Sequence, residues 1–142
     1  MNETIIQNWN SIVRDTDEVF CLGDFALCGK DKIIEFGRRL RGRKHLVLGN
    51  HEGASLQTYK MAGFEYIYKY PIYIPEENVI LSHYPIGSVP IRNIHGHTHG
   101  NRENDIFHFD VSVEKINYTP KLLEEILVEF ENIYSHHEKS TL

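Results

Sequence analysis

Four short apolar runs in this sequence each lead directly into a polar loop, and this pattern restricts the fold more than any other feature. The runs cover residues 18–22, 46–48, 79–82 and 91–95. An apolar run that stops at glycine or a polar residue predicts a buried strand followed by a loop. In open α/β sheets, ligands bind beyond the carboxyl ends of the strands. The polar side chains placed there are Asp24, Asn50, His51, His83, His97 and His99.

These side chains carry carboxylate, carboxamide and imidazole groups, which are typical ligands of divalent metals. One Gly-Asn-His segment alone would be weak support, and a lone histidine at a strand end is more often structural than a ligand. Four runs in order, each delivering Asp, Asn or His to one rim, favour a metal centre. We therefore expect Asp24, Asn50, His83 and His97 to meet around one cation.

The same residues resemble the later motifs of the calcineurin-like metallophosphoesterases, in that family's order. The matching segments are Gly23-Asp24, residues 49–52 (Gly-Asn-His-Glu), His83 and residues 96–99 (Gly-His-Thr-His), within a stretch of about 18–113. The resemblance implies an α/β (α+β) fold, a metallophosphoesterase-like β-sandwich flanked by helices (αββα). It also implies a dinuclear metal site that hydrolyses phosphate esters.

By this resemblance, Asp24 is the ligand that bridges two metals, and it is also assigned to catalysis. Asn50, His83 and His97 match the remaining ligands of one metal, and His99 matches a ligand of the other. Imidazoles beside amide and carboxylate oxygens suit Mn²⁺ best, with Fe, Zn²⁺ or Ni²⁺ as alternatives, and suit Ca²⁺ or Mg²⁺ less well. Two metals ~3.5–4 Å apart would hold a hydroxide for in-line attack on phosphorus.

His51 matches a family histidine that is catalytic but does not bind metal. It would stabilise the charge that develops on the phosphoryl group or donate a proton to the leaving oxygen. Glu52 follows it directly. Two roles for Glu52 stay open, since it could orient the His51 ring or cap the following turn.

The sequence departs from the family at the family's first motif, because no Asp-x-His on a first strand has a counterpart here. We therefore expect an N-terminally truncated domain that is missing its first strand. One metal site would be firm, and the second, left with Asp24 and His99, would be incomplete. Three explanations stay open: a fragment of a longer gene, a homodimer that covers the exposed sheet edge, or a loss of catalysis.

Length and charge narrow the classes of function. A chain of 142 residues predicts a single metallophosphoesterase-like domain over 1–142. Fifteen basic and 20 acidic residues give a net charge of −5. This charge favours a small phosphorylated substrate or nucleotide, while nucleic acid held locally stays an alternative. The sequence has no leader and no run of ~18 apolar residues, which predicts a cytoplasmic protein with no membrane partner.

Periodicity predicts the remaining elements. Helices are expected at 2–13, from an Asp31 cap to a stop at Gly42, at 55–62, and from a Thr119 cap onward with a fraying polar tail at 135–142. A hairpin is expected between 72–74 and 79–81, and a strand at 106–113.

Several polar and aromatic groups have both a structural and a functional interpretation, and the structural one is favoured. The basic cluster at 38–44 is expected to complement a helix dipole rather than bind phosphate. Three alternating tyrosines are expected to line a half-buried sheet rather than stack on a base: Tyr66, Tyr68 and Tyr70. We expect structural or supporting roles for His45, His95 and His108, and solvated positions for Asp110, His136 and His137.

Two hypotheses about function follow. The first is a metal-dependent phosphoesterase, including a phosphodiesterase, acting on phosphate mono- or diesters through a metal-bound hydroxide. The second is a catalytically inactive binding or scaffold protein that keeps the phosphoesterase fold. The intact ligand set of one site and His51 favour the first, and the missing opening motif favours the second.

Overall fold

The computed structural model describes residues 2–23, 29–48, 55–87, 89–97, 103–112, 116 and 119–141. Over these residues the chain forms two β-sheets and four α-helices. In chain order the elements are α1 (Asn2–Ile12), β1 (Glu18–Cys21), α2 (Lys30–Arg39), β2 (Arg43–Val47), α3 (Leu56–Met61), β3 (Phe64–Tyr68), β4 (Ile72–Ile74), β5 (Val79–Ser82), β6 (Arg92–His95), β7 (His108–Asp110) and α4 (Leu123–Thr141).

The first sheet is parallel and has the order β1-β2-β3. Its register pairs Cys21 with Leu46 and Val47 with Tyr68, so the carboxyl ends of its strands lie at one edge. The second sheet has the order β4-β5-β6-β7. The hairpin β4–β5 is antiparallel, as predicted, whereas β5, β6 and β7 run parallel.

A hydrophobic core joins the two sheets. Alternate residues of both sheets point into it, which is the pattern that pleated strands impose. Its buried members are Leu22, Val47, Val79, Leu81, Ile94, Phe109, Ile126 and Phe130. The last two belong to α4. The Phe130 ring packs edge to face against the Phe109 ring, with the ring centroids 5.8 Å apart. The expected α/β fold, with a two-sheet sandwich and flanking helices, is therefore confirmed.

Helices α1, α2 and α3 cover the outer face of the first sheet through two further clusters. One contains Trp9, Phe36 and Leu40, and the other contains Leu46 and Tyr59. Ser55 caps α3 by accepting a hydrogen bond from the Thr58 N–H, as the predicted helix start requires. Within the described residues, no helix has both the length and the apolar character needed to cross a membrane.

The outer face of the second sheet is unusual because it carries a group of polar yet buried side chains. They are Ser82, Asn93, His95, Asp110 and Ser112. The solvated position expected for Asp110 is wrong: this residue is 0% exposed, and its carboxylate accepts hydrogen bonds from the backbone N–H and hydroxyl of Ser112. A buried carboxylate needs such donors.

Several predicted boundaries are wrong. The strand expected at 106–113 is limited to β7 (His108–Asp110). Helix α2 begins at Lys30 after Gly29, so Asp31 lies inside it rather than capping it. Helix α4 begins at Leu123 rather than next to Thr119. The tail expected to fray instead continues α4 to Thr141, since neither glycine nor proline interrupts it.

Candidate metal centre

The ends of β1, β5 and β6 converge on one point, which is marked by His83. This residue directly follows β5 and is only 3% exposed. Its Nδ1 lies 2.8 Å from the carbonyl oxygen of Leu22, the residue that follows β1. A carbonyl oxygen can only accept, so Nδ1 carries the hydrogen and Nε2 presents a lone pair.

His97 lies directly in front of that lone pair. The distance from His83 Nε2 to His97 Nδ1 is 3.1 Å, and the two rings are inclined at 67° with centroids 4.8 Å apart. Because Nε2 of His83 carries no hydrogen, Nδ1 of His97 donates in this contact. The two predicted ligands that the structure describes are therefore neighbours, although they are separated in sequence by the whole β5–β6 connection.

The pair fits a divalent cation. Two nitrogens that each lie about 2.0–2.1 Å from one ion, at tetrahedral or octahedral angles, are roughly 2.8–3.4 Å apart, and the observed 3.1 Å falls in that interval. The Leu22 carbonyl also fits, because a metal-binding histidine commonly donates its second N–H to a carbonyl. Within the described parts of the chain, no group of three or more His, Cys, Asp or Glu side chains is assembled.

Gly96 allows the close approach of these loops. Its N–H donates to the His83 carbonyl oxygen at 3.1 Å. A Cβ atom at position 96 would lie 2.9 Å from the Leu22 carbonyl oxygen, which is too close for a side chain. The next residue, His97, has a left-handed backbone with φ of 69°. This conformation is uncommon outside glycine and points to a constraint at the site.

Tyr84 forms an aromatic wall beside the histidine pair. Its ring centroid lies 4.7 Å from that of His83 and 4.4 Å from that of His97, while 49% of the residue remains exposed. Tyr84 was not among the residues predicted from the sequence, where the Tyr-Pro that follows His83 is its only signal.

The other predicted site residues, Asp24, Asn50, His51 and His99, lie outside the described residues, and so does Glu52. The strands that lead to them are described. Gly23, just before Asp24, has φ of 91°. Leu48, two residues before Asn50, donates its N–H to the Tyr68 carbonyl.

The basic cluster at 38–44 serves the fold, as favoured from the sequence. Arg39 forms a two-point ion pair with Glu3, and Arg43 pairs with Glu65. Arg38 donates to the carbonyl of Met61. Lys44 is 6% exposed and donates to the Leu40 carbonyl at the end of α2. Burial lowers the pKa of this lysine. These contacts leave the cluster poorly suited to bind phosphate.

The remaining histidines also have structural surroundings, as expected. His45 stacks on Phe20 and Tyr66, with its Nε2 3.2 Å from a Glu18 carboxylate oxygen. His95 is buried and donates from Nδ1 to the Gly96 carbonyl. His108 contacts Asp105 through Nδ1 and the Ile86 carbonyl through Nε2. The two α4 histidines, 136 and 137, are exposed.

The fold agrees with comparisons to known proteins. The family model for the calcineurin-like phosphoesterases matches residues 3–141. The chain is 33% identical to the uncharacterized protein MJ1445 of Methanocaldococcus jannaschii, over 89% of this chain and 73% of that protein. It also resembles the crystal structure of AQ665, a protein of unknown function from Aquifex aeolicus. That match has a TM-score of 0.68 and 27% identity and covers 88% of this chain and 82% of the other. The chain therefore belongs to the calcineurin-like phosphoesterases, a family of metal-binding hydrolases.

Proposed function

We propose that this protein hydrolyses phosphate mono- or diesters at a divalent metal bound by His83 and His97. The observation that carries the proposal is the fixed tautomer and orientation of the His83 ring. The Leu22 carbonyl fixes its tautomer, and its Nε2 lies 3.1 Å from His97 Nδ1. A metal site needs a neutral imidazole with its lone pair turned toward the cation, and this orientation of His83 supports one.

In this proposal Asp24 and Asn50 complete the ligands of the first metal, and Asp24 and His99 serve a second, incomplete site. Bound metal would supply Lewis-acid activation of water and of the phosphoryl oxygens. His51 would stabilise the charge on the phosphoryl group or protonate the leaving oxygen. His83 and His97 hold the cation, and the Tyr84 ring limits the space beside it. The mixed nitrogen and oxygen donors support Mn²⁺, with Fe, Zn²⁺ or Ni²⁺ as alternatives.

A small phosphorylated substrate or nucleotide suits this site better than a nucleic acid. The net charge is −5, and three arginines of the basic cluster, Arg38, Arg39 and Arg43, are engaged by acidic partners or by a backbone carbonyl. Long-range attraction of a polyanion is therefore weak. A cytoplasmic location is part of the same proposal, as is a homodimer that covers β1, which within the described residues pairs with β2 alone.

Hydrolysis of bis(p-nitrophenyl) phosphate in the presence of Mn²⁺ tests the proposal. The wild-type protein should bind the metal and release p-nitrophenol, while His83→Ala and His97→Ala should lose both properties. His136→Ala, on the exposed side of α4, is the matched control and should behave like the wild type. Metal content is measured by mass spectrometry on the same samples.

The two hypotheses differ in their outcomes. Binding of Mn²⁺ without hydrolysis of mono- and diester substrates would favour the catalytically inactive binding protein. Absence of both binding and hydrolysis would reject the metal centre itself. Hydrolysis that survives His83→Ala would place the reaction elsewhere on the molecule.

A further inference from the structure

Asn93, on β6, is a buried amide whose polar atoms all have partners. It is 0% exposed. Its Nδ2 donates to Ser82 Oγ at 2.9 Å and to the Ile80 carbonyl at 3.0 Å. Its Oδ1 accepts the Ile86 N–H at 2.8 Å. A buried amide is costly unless it is satisfied in this way, so its position calls for a role.

The partners of Asn93 bracket His83 on both sides. Ser82, which accepts from Asn93, donates its hydroxyl to the Tyr84 carbonyl at 2.5 Å. The hydrogen bonds are therefore donated in one direction, from the Asn93 amide to Ser82 and from Ser82 to the Tyr84 carbonyl. Together with the bonds to the Ile80 carbonyl and the Ile86 N–H, they fix the backbone at 80, 84 and 86, on either side of the predicted ligand.

From this geometry, and resting on the proposed function, we propose that Asn93 is a positioning residue for the metal ligand His83. Asn93 itself does not contact the cation. It fixes the backbone that carries His83, and the Leu22 carbonyl fixes the tautomer. A ligand on a loop must be held within a fraction of an ångström of its working place, and groups behind the ligands supply that constraint.

Replacement of Asn93 should therefore weaken metal binding beyond its effect on stability. Asn93→Leu keeps the approximate volume and removes every hydrogen bond of the side chain. We expect Mn²⁺ affinity, measured by calorimetry, to fall about 10–100-fold. Ser82→Ala removes a single hydroxyl and should lower the affinity about 5-fold. Ile6→Ala, in the cluster between α1 and α2, is the control: it should destabilise the fold and leave the affinity unchanged.

A second measurement does not depend on the metal. The ¹⁵N spectrum of the imidazoles in the metal-free protein should show His83 as a single Nδ1–H tautomer in the wild type and in Ile6→Ala. In Asn93→Leu and Ser82→Ala the same ring should populate both tautomers. If Asn93→Leu does not fold, Ser82→Ala decides the matter with both readouts.

The outcomes separate this proposal from the proposed function. If wild type binds no Mn²⁺, the phosphoesterase proposal fails, and the tautomer spectrum alone decides whether Asn93 positions His83. Unchanged tautomers in both variants would overturn the positioning role. The same holds for a folded Asn93→Leu with wild-type Mn²⁺ affinity, or for a loss of affinity that Ile6→Ala shares.

Discussion

His83 donates its Nδ1–H to the carbonyl oxygen of Leu22, at 2.8 Å and across 61 positions in the sequence. The bond joins the end of β5 in the second sheet to the end of β1 in the first. It brings the segment that leads into Asp24 next to the His83–His97 pair. Because a carbonyl cannot donate, the bond also leaves His83 Nε2 ready for a cation.

Bound metal should stabilise the folded protein. A ligand that binds only the folded state adds about 2.7 kcal/mol at one hundred times its Kd, which corresponds to a Tm rise of roughly 5–11 °C for a chain of this length. Calorimetric melting with and without Mn²⁺ measures the shift, and EDTA should reverse it. His83→Ala should abolish the shift, so a Mn²⁺ shift of wild-type size in that variant would contradict the assigned site.

Gly96→Ala should damage the centre. The added Cβ would lie 2.9 Å from the Leu22 carbonyl oxygen, so the loops must separate at a cost of about 1–3 kcal/mol. We expect weaker Mn²⁺ binding as well as easier unfolding in urea.

Two other glycines serve as controls for Gly96→Ala. Gly37→Ala places a Cβ 2.5 Å from the Ala62 carbonyl oxygen, between α2 and α3, and should destabilise the fold without affecting Mn²⁺ affinity. Gly87→Ala meets no atom within 4 Å and should change little. Equal losses of affinity in Gly37→Ala and Gly96→Ala would show that the effect of Gly96 is not local.

Lys44 should make stability rise at alkaline pH. Burial lowers its pKa below 10.5 in the folded protein, so between the two pKa values the unfolded chain binds more protons. The free energy of unfolding therefore increases with pH across that window. Urea unfolding at a series of pH values should show this rise in the wild type and a smaller one in Lys44→Met. Lys60→Met, at an exposed position on α3, should keep the wild-type slope.

Asp105 should contribute to stability that is lost in acid. Burial raises the pKa of this carboxyl, but hydrogen bonds from the Phe107 N–H and from His108 outweigh it and hold the pKa below 3.8. The contribution is present above pH 3.8 and disappears as pH falls through the folded pKa. Asp105→Asn keeps an acceptor for Phe107 and removes the charge, so its acid unfolding curve should be flatter. Asp15→Asn, an exposed control, should retain the wild-type curve.

Most of the framework of the molecule could be predicted from the sequence. Strand ends at or next to Leu22, Ser82 and His95 follow from apolar runs that stop abruptly, and the β4–β5 hairpin follows from two such runs around a short polar turn. The meeting of His83 and His97 also follows, since β5 and β6 pair in parallel with Ser82 beside His95. The roles of Asp24, Asn50, His51 and His99 stay predictions.

What could not be predicted depends on contacts that leave no pattern in the sequence. The carbonyl that orients His83 belongs to the backbone of Leu22. Every residue has such a group, so the sequence does not mark this one. Asp110 was expected in solvent because alternation identifies the face of a strand but not what covers that face. Here the side-chain oxygen of Asn104 accepts the Asp110 N–H of β7, and the segment around Ile86 closes over Asn93. Two-residue periodicity carries no information about such covering loops.

The link between Leu22 and His83 has a consequence for motion. Since the two partners belong to different sheets, a cation that engages His83 together with residues beyond β1 would link the two sheets of the sandwich. Binding of the cation and relative movement of the two sheets would then be coupled in one equilibrium. As the ion is added, amide protons at the end of β1 and at the end of β5 would gain protection from exchange together, although the two strands belong to different sheets.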